Sequence, residues 1–311
     1  MASPCPLLSG GVTDDTLLHI THFLPTARDR LSLKLTCRRF SINCIAATSA
    51  ESAEGEAAAA LLWPEVLSIV EEAGRRWVTA CSEQERGWVP RRELESWLSL
   101  MHEVELLRLP LAFGRAHTDI TLSEDRVLAT SSVHGGGFRV AASMVVVRSG
   151  RHFAQFTVRQ DYMAFGVIRP GWDVHGVQRA DDEDGHCFLN TYYNGMRFPG
   201  YINWEGAQGA TEGDSIGMLL DLNQGSMTVW KNDVKLGVMQ AEGLSGPLCW
   251  AVSMYTEGTS GLIESRPAPA SPTEDELEVA KAWQRRTLLN LPQTATGTEC
   301  EAAEVAQYDL R

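Results

Sequence analysis

Two short motifs carry the residue types of an acyl-transfer site. His134-Gly135-Gly136-Gly137 has the form of an oxyanion loop, and Gly213-Asp214-Ser215-Ile216-Gly217 has the glycine spacing of a nucleophile elbow. The esterases that use these two motifs have their histidine base after the serine in the chain, yet the last histidine here is His186. Ser215 also opens a strand-like segment, whereas an elbow leads into a helix. The sequence therefore predicts no esterase and assigns no catalytic residue.

The candidate metal ligands form only small groups. His19 and His22 are three residues apart on a short helix, and His186 and Cys187 are adjacent on a strand, so neither pair supplies the further ligands of a tetrahedral site. The acidic run at 181–184 lacks the ligand ladder of a calcium loop and predicts a solvated loop. We expect neither a metal ion nor a cofactor.

Composition indicates a globular protein with an acidic surface. The 311 residues include 27 Lys and Arg against 40 Asp and Glu, which gives a net charge of −13. Binding to nucleic acid through phosphates needs clustered basic residues, so this balance argues against it and favours neutral or basic clients. The longest candidate for a membrane span, Val140–Val147, has eight residues, far fewer than the roughly 20 required.

Four segments differ in composition: 1–50, 51–110, 111–266 and 267–311. The first carries five basic and three acidic side chains, and the other three are acidic. The seven scattered cysteines and the lack of a signal-peptide pattern at the N-terminus predict a reduced, intracellular compartment, cytoplasmic or nuclear.

The first two segments have helical periodicity. Pro25 separates two predicted helices in residues 1–50, and an Ala/Glu-rich linker follows. In residues 51–110, Pro64 and Pro90 are predicted to occupy the first positions of two further helices. The apolar stripe of the second of these begins at Leu94, and we expect both stripes to be core.

The third segment changes to a period of two. Residues 215–238 predict a three-stranded antiparallel meander, and four more strands are predicted at Arg151–Val158, Met163–Ile168, Cys187–Tyr193 and Leu248–Met254. Short strands with turns between them predict a sandwich of antiparallel sheets. In the fourth segment, Thr273 and Glu276 form a capping box for a short C-terminal helix, which a polar, disordered tail follows.

Several motifs in residues 111–265 fall in the order found in one family. GDSIGMLLDLNQGSMTVWKNDVKLGVMQAEGLSGPLCWAVSMY at 213–255 resembles the C-terminal half of SPRY domains. SGRHFAQFTV at 149–158 and MAFGVIRPGWD at 163–173 resemble two earlier SPRY strands, and residues 117–132 lie where the family has its first strands. Asp233 replaces the usual turn glycine, and Asn-Asp can still adopt positive φ.

The SPRY resemblance implies a bent, concanavalin-like β-sandwich that binds a client peptide or protein through loops at one edge, without catalysis. Trp230 and Trp250, on strands, are predicted to be core. Carried over by position, the implied partner-binding residues are Arg169, Pro170, Trp172, Asp173, Tyr192, Tyr193, Tyr201 and Trp204. Tyr, Trp and Arg are enriched at interface hot spots, but aromatic residues are also common in cores. The sequence therefore leaves two roles open for the aromatic residues of the loops, partner contact and core packing.

TDDTLLHITHFLPTARDRLSLKLTCRRF at 13–40 is similar to an F-box. That resemblance implies docking on the Skp-type adaptor of a cullin ubiquitin ligase. The implied adaptor-binding residues are Leu17, Ile20, Phe23, Leu24, Leu31 and Leu35. Val12-Thr13 departs from the usual Leu-Pro, and the linker interrupts the place of a third helix. The alternative is a helical hairpin that packs on residues 66–77.

Together the two resemblances predict a mainly β protein: an F-box-like region (1–50), a linker and helical region (51–110), a SPRY sandwich (111–266), and a C-terminal helix with a tail (267–311). The predicted function is that of a ubiquitin-ligase substrate receptor. A scaffold or adaptor with no ubiquitin link is the main alternative, and glycan binding is a weaker one.

Overall fold

The computed structural model of the chain describes residues 14–21, 23–36, 43–46, 66–132, 138–159, 163–176, 178–191 and 194–290. The helices are α1 (Asp14–Thr21), α2 (Ala27–Thr36), α3 (Ile69–Ala80), α4 (Glu83–Trp88), α5 (Trp97–Arg108) and α6 (Glu274–Asn290). The strands are β1 (Asn43–Ala46), β2 (Val66–Ser68), β3 (Phe113–Ala116), β4 (Ile120–Leu122), β5 (Leu128–Ser131), β6 (Arg139–Val147), β7 (Arg151–Val158), β8 (Met163–Ile168), β9 (Cys187–Asn190), β10 (Arg197–Phe198), β11 (Ser215–Asp221), β12 (Ser226–Lys231), β13 (Val234–Gln240), β14 (Leu248–Met254) and β15 (Ser260–Ser265). Within these ranges no helix combines the length and apolar character that crossing a membrane needs.

Two antiparallel sheets pack face to face, as the period-two pattern predicts. One has six strands in the order β10-β9-β8-β14-β6-β3, and the other has seven in the order β13-β12-β11-β7-β15-β5-β4. Phe156 of the larger sheet stacks on Phe165 of the smaller one with 4.8 Å between ring centroids. Trp250 lies in the same core, as predicted. The mainly β fold class is confirmed.

Trp230, predicted to be core, is only half-buried. Neighbouring residues of a strand point to opposite faces. Val229 therefore lies in the core between the sheets, and Trp230 lies on the outer face, where it meets Phe153 edge-on at 5.6 Å. The prediction for Trp230 was wrong because the phase of the alternation places Val229, and not Trp230, on the inner face.

The predicted meander is confirmed as β11, β12 and β13. β11 and β12 pair from Ile216 opposite Lys231 to Asp221 opposite Ser226. The next turn holds Asn232 at φ 51° and Asp233 at φ 63°. Both are in the left-handed region, which Asn and Asp tolerate better than other side chains. The departure from glycine at Asp233 therefore leaves the hairpin intact.

The helix predicted to begin at Pro64 begins later, at Ile69. Ser68 caps it, because its hydroxyl oxygen accepts the N–H of Glu71 at 3.3 Å. Residues 66–68 form β2 instead, and β2 pairs with β1. The apolar residues Val66 and Leu67 fit a short strand as well as a helix, so the cap at Ser68 decides the boundary.

The helix predicted to begin at Pro90 begins at Trp97. Leu94 has φ 63° and is fully exposed, so it belongs to a turn and not to the apolar stripe. Glu71 of α3 fixes the start of α5, because its carboxylate accepts the N–H groups of Trp97 at 2.8 Å and Leu98 at 3.4 Å. A carboxylate from a neighbouring helix thus satisfies donors that the first turn leaves free.

The helical region and the C-terminal helix both contact the sandwich. The indole N–H of Trp88 in α4 donates to the backbone oxygen of Arg151 at 3.2 Å. Thr273 and Glu276 form the predicted capping box of α6. Leu277 of α6 packs on Val238 of β13. The tail predicted after α6 lies outside the described residues.

Candidate protein-interaction surface

A second apolar cluster covers the outer face of the six-stranded sheet. Strand β8 points Phe165 and Val167 into the core between the sheets and Ala164 and Ile168 outward. The other buried members of the outer cluster are Val140, Ala142, Val174, Ala180, Phe188, Phe198, Cys249 and Ala251. Because several of these side chains are small, the connection between β8 and β9 can lie close against the sheet.

The first part of that connection, residues 169–176, is named the β8 loop. The backbone N–H of Arg169 donates to Nε2 of His186 at 3.0 Å. The other ring nitrogen of His186 lies 2.7 Å from the oxygen of Ala180, to which it donates. Burial lowers the pKa of His186 below its usual value. A neutral histidine therefore fixes the start of the loop.

Two arginines hold the β8 loop on the sheet. A guanidinium nitrogen of Arg115 in β3 donates to the backbone oxygen of Trp172 at 2.9 Å. The guanidinium of Arg169 donates to the backbone oxygen of Ser245, before β14. Trp172 itself meets the ring of His186 edge-on at 5.1 Å and is half-buried. The loop thus presents a tryptophan that is packed on one side and open to solvent on the other.

Tyr201 lies against the same outer cluster, after β10. Its ring centroid is 4.3 Å from that of Phe198, and its hydroxyl is 3.4 Å from a guanidinium nitrogen of Arg179. Arg179 also pairs with Asp181 at 3.1 Å. Asp181 is fully buried. The prediction of a solvated acidic loop is therefore wrong for Asp181, whose burial depends on this arginine.

The predicted partner-binding residues divide into three groups. Arg169, Pro170, Trp172 and Tyr201 are half-buried at the outer face of the six-stranded sheet, and Asp173 is exposed there. Tyr192 and Tyr193 lie outside the described residues. Trp204 is 2% exposed and donates its indole N–H to the oxygen of Gly195 at 2.7 Å. It belongs to the core between the sheets, so its assignment to the binding surface was wrong.

Two features of this face were missed in the sequence. Met144 and Val146 of β6 are exposed and border a cavity of about 220 Å³ beside Pro170. They lie in the apolar run 140–147, whose pattern does not tell an exposed position from a buried one. Tyr255 is also exposed and contacts Phe138 at 4.9 Å between centroids. Tyr255 follows β14 directly, and its position at the end of a predicted strand was the sequence feature that could have indicated its exposure.

The six apolar residues assigned to adaptor binding do not share one environment. Leu17 is fully buried in a cluster with Ile69, Val70 and Leu98. Leu24 is half-buried. Four of the six side chains are exposed: Ile20, Phe23, Leu31 and Leu35. The assignment of Leu17 to a docking face is therefore wrong, because α1 uses that side chain to pack on α3.

Ser215 is the first residue of β11, as predicted, and leads into a strand. Its hydroxyl donates to the side-chain oxygen of Asn232 at 3.4 Å, and its backbone N–H donates to the same oxygen at 2.9 Å. Both contacts anchor the turn between β12 and β13. The local role of Ser215 is thus to fix a hairpin.

No family model matches the chain. Among solved structures, the chain is similar to the SPRY domain of human HERC1, with 17% sequence identity, a TM-score of 0.43, and coverage of 51% of this chain and 99% of that domain. It is also similar to a human SPRY domain, with 13% identity, a TM-score of 0.38, and coverage of 49% and 98%. For the PSpry domain of TRIM65 the identity is 16%, the TM-score 0.38, and the coverage 51% and 92%.

Proposed function

We propose that the sandwich is a protein-interaction domain that binds a client peptide or protein, and that it has no catalytic role. The observation that carries the proposal is the packing of Trp172 in the β8 loop. One side of its ring contacts His186 and the outer apolar cluster, and the other side is exposed. A half-buried tryptophan with Arg and Tyr nearby has the residue types that are enriched at interface hot spots. The SPRY-like motifs at 149–173 and 213–255 point to the same role.

The proposed client site contains Arg169, Pro170, Trp172, Asp173 and Tyr201, with Tyr192 and Tyr193 carried over from the family pattern. A peptide-display selection on the full chain tests the proposal. We expect enriched peptides whose binding the Trp172→Ala variant weakens. No enrichment above an uncoated support would contradict the role as a peptide-binding domain.

We further propose that α1 and α2 connect this domain to a cullin-type ubiquitin ligase within the cell. Support comes from the F-box-like pattern at 13–40 and from the exposed Ile20, Phe23, Leu31 and Leu35. Large apolar side chains that remain exposed are candidates for contact with a partner protein. Leu17 is left out of this proposed surface because it is buried.

A pull-down of a Skp-type adaptor with the full chain tests the ligase connection. Phe23→Glu places a charge in the proposed surface, and Leu94→Glu makes the same change at an exposed leucine in the turn before α5. We expect Phe23→Glu to abolish capture and Leu94→Glu to leave it unchanged.

The second candidate function is a scaffold with no ubiquitin link. The packing of α1 on α3, with Leu17 and Leu18 buried against Ile69 and Val70, favours it, because this contact gives the first helix a structural role. Under this alternative the wild-type chain captures no adaptor, whereas client binding through the sandwich is retained.

A further inference from the structure

A cavity opens on the outer face of the six-stranded sheet, next to the β8 loop. Its volume is about 220 Å³. The cavity, named the sheet groove, is lined by Gly114, Arg115, Ser143, Met144, Val146 and Pro170. None of the residues predicted to bind a partner lies in it except Pro170, so the groove extends the proposed client site onto β3 and β6.

The floor of the sheet groove is apolar and open. On β6 the outward-facing Val140 and Ala142 are covered by the outer cluster. Two positions further along, Met144 is 67% exposed and Val146 is 42% exposed. The two side chains lie on one face of the strand and are open to a ligand. Methionine adapts its shape to different partners because its side chain is flexible and polarizable.

Gly114 on β3 makes room for Met144. A Cβ atom at Gly114 would lie 1.8 Å from Cγ of Met144, so any side chain there would displace the methionine. Met144 therefore lies over β3 at Gly114, and both residues line the sheet groove. Pro170 also lines it, and the proline ring restricts the backbone of the β8 loop.

Among the described residues that line the sheet groove, the charged side chain is a basic one and none is acidic. Arg115 lines the groove, and Arg169 directly precedes Pro170. Among the described residues, no carboxylate lies within 4.0 Å of either guanidinium. Both groups bond to backbone oxygens instead, Arg115 to Trp172 and Arg169 to Ser245. Three other arginines of the sandwich are paired with carboxylates: Arg139, Arg148 and Arg179.

The acidic side chain of the β8 loop, Asp173, keeps its charge but does not line the sheet groove. One carboxylate oxygen of Asp173 accepts the N–H of His175 at 3.0 Å. The net charge of −13 acts over the whole surface, but solvent ions screen it beyond about 8 Å at physiological salt. A ligand in the sheet groove therefore meets Arg115 directly, because this side chain lines the groove and no acidic residue is among the described lining residues.

We infer that the sheet groove binds a short segment of a client protein in which one apolar side chain is flanked by carboxylates. The inference rests on the proposed role as a protein-interaction domain. A cavity of this volume accommodates a single Leu, Met or Phe side chain on Met144 and Val146. The flanking carboxylates pair with Arg115 and Arg169, because a guanidinium that already donates to a backbone oxygen keeps further N–H groups for an anion.

The inference is tested with the full chain and three pools of fluorescein-labelled peptides. The first pool has a central Leu flanked by Asp and Glu, the second a central Leu flanked by Lys and Arg, and the third a central Ser flanked by Asp and Glu. Fluorescence anisotropy measures binding. We expect the first pool to bind about tenfold or more tightly than either of the others. Equal binding of the three pools would overturn the inference.

Variants of one exposed residue then locate the site. We expect Met144→Glu to weaken binding of the first pool about tenfold, because it repels the carboxylates, and Met144→Lys to preserve it. Val234→Glu adds the same charge at an exposed apolar position on the other sheet and is expected to change nothing. If both Met144 variants lose binding equally, or neither does, the groove is not an acidic-peptide site.

The outcomes separate this inference from the proposed function. If the display selection yields peptides that bind through Trp172 while the first pool does not bind, the groove inference fails and the interaction domain stands. If neither the selection nor any pool yields a ligand, both fail. Thermal melting of each variant shows that the fold is retained.

Discussion

Trp88 and Arg151 join the helical region to the sandwich through one hydrogen bond, from the indole N–H to the backbone oxygen across 3.2 Å. The Trp88 ring also lies 5.6 Å from the ring of His152. Gly150 is required beside this contact, because a Cβ atom there would lie 2.8 Å from Cδ1 of Trp88. The contact is therefore a specific one, and its removal should loosen the junction locally, because the ion pairs of Arg148 with Glu95 at 2.8 Å and Glu103 at 2.7 Å also span it.

We expect Trp88→Ala to lower the free energy of unfolding by about 2 kcal/mol, less than for a fully buried tryptophan. Hydrogen exchange measures where the loss occurs. Amides of α4 and of β7 should exchange faster, whereas those of β14 should be unchanged. Trp88→Phe keeps most of the ring packing and should lose less stability than the alanine variant. A uniform loss of protection through the whole chain would contradict a local joint.

His152 makes stability depend on pH. Burial lowers its pKa from 6.5 to about 4, although Nε2 bonds to the oxygen of Ser149 at 2.7 Å. Between these two values the unfolded chain binds a proton that the folded chain does not. Stability is therefore fully present above pH 6.5 and falls as the pH falls toward 4, by about 3 kcal/mol in total.

Urea unfolding at a series of pH values measures this effect. His186 and His117 also have pKa values lowered by burial, so they contribute a slope of the same sign. The contribution of His152 is the difference between the wild type and His152→Gln. We expect the variant to have a shallower loss between pH 6.5 and 4. Parallel curves would show that His152 has a normal pKa.

Local pattern was sufficient to predict several strands to the residue. β7, β8 and β14 have the predicted bounds Arg151–Val158, Met163–Ile168 and Leu248–Met254. Their apolar residues alternate or run continuously, and Gly, Pro or Asp residues limit them on both sides. Such signals lie within the strand itself, so no knowledge of distant partners is needed.

The candidate site was only partly predictable, because burial depends on residues far along the chain. Trp204 and Trp172 both lie in loops, yet Trp204 is buried in the core between the sheets. Trp172 is only half-buried, and its backbone oxygen accepts a hydrogen bond from Arg115. Likewise, Met144 and Ala142 share one strand face, and only the second lies beneath the outer cluster. The apolar pattern of β6 alone therefore cannot predict that Met144 is exposed and Ala142 is buried.

The two loop tryptophans should respond oppositely to truncation. We expect Trp172→Ala to weaken client binding by about 2 kcal/mol or more, which is roughly 30-fold in Kd, and to leave the fold intact. Tyr193→Ala is expected to act in the same way. Trp204→Ala should lower the free energy of unfolding by about 3 kcal/mol, since it empties a core position and orphans the oxygen of Gly195.

Isothermal titration with a peptide from the display selection measures the first effect, and chemical denaturation measures the second. Unchanged affinity in both Trp172→Ala and Tyr193→Ala would place the client on another edge of the sandwich. A stability loss in Trp172→Ala as large as that in Trp204→Ala would assign Trp172 a structural role.

Leu17 on α1 and Phe23 in the turn after it are expected to have different roles, packing and docking. Leu17 is fully buried against α3, and Phe23 is 74% exposed. We expect Leu17→Ala to lower the free energy of unfolding by about 3 kcal/mol. Phe23→Ala removes an exposed ring and should change stability by less than about 0.5 kcal/mol, as is usual for surface positions. Adaptor capture at a temperature where both variants are folded should then fall only for Phe23→Ala. If capture falls for Leu17→Ala alone, the adaptor contacts Leu17 itself, which requires the helical region to open. The exposed side chains are then not the docking surface.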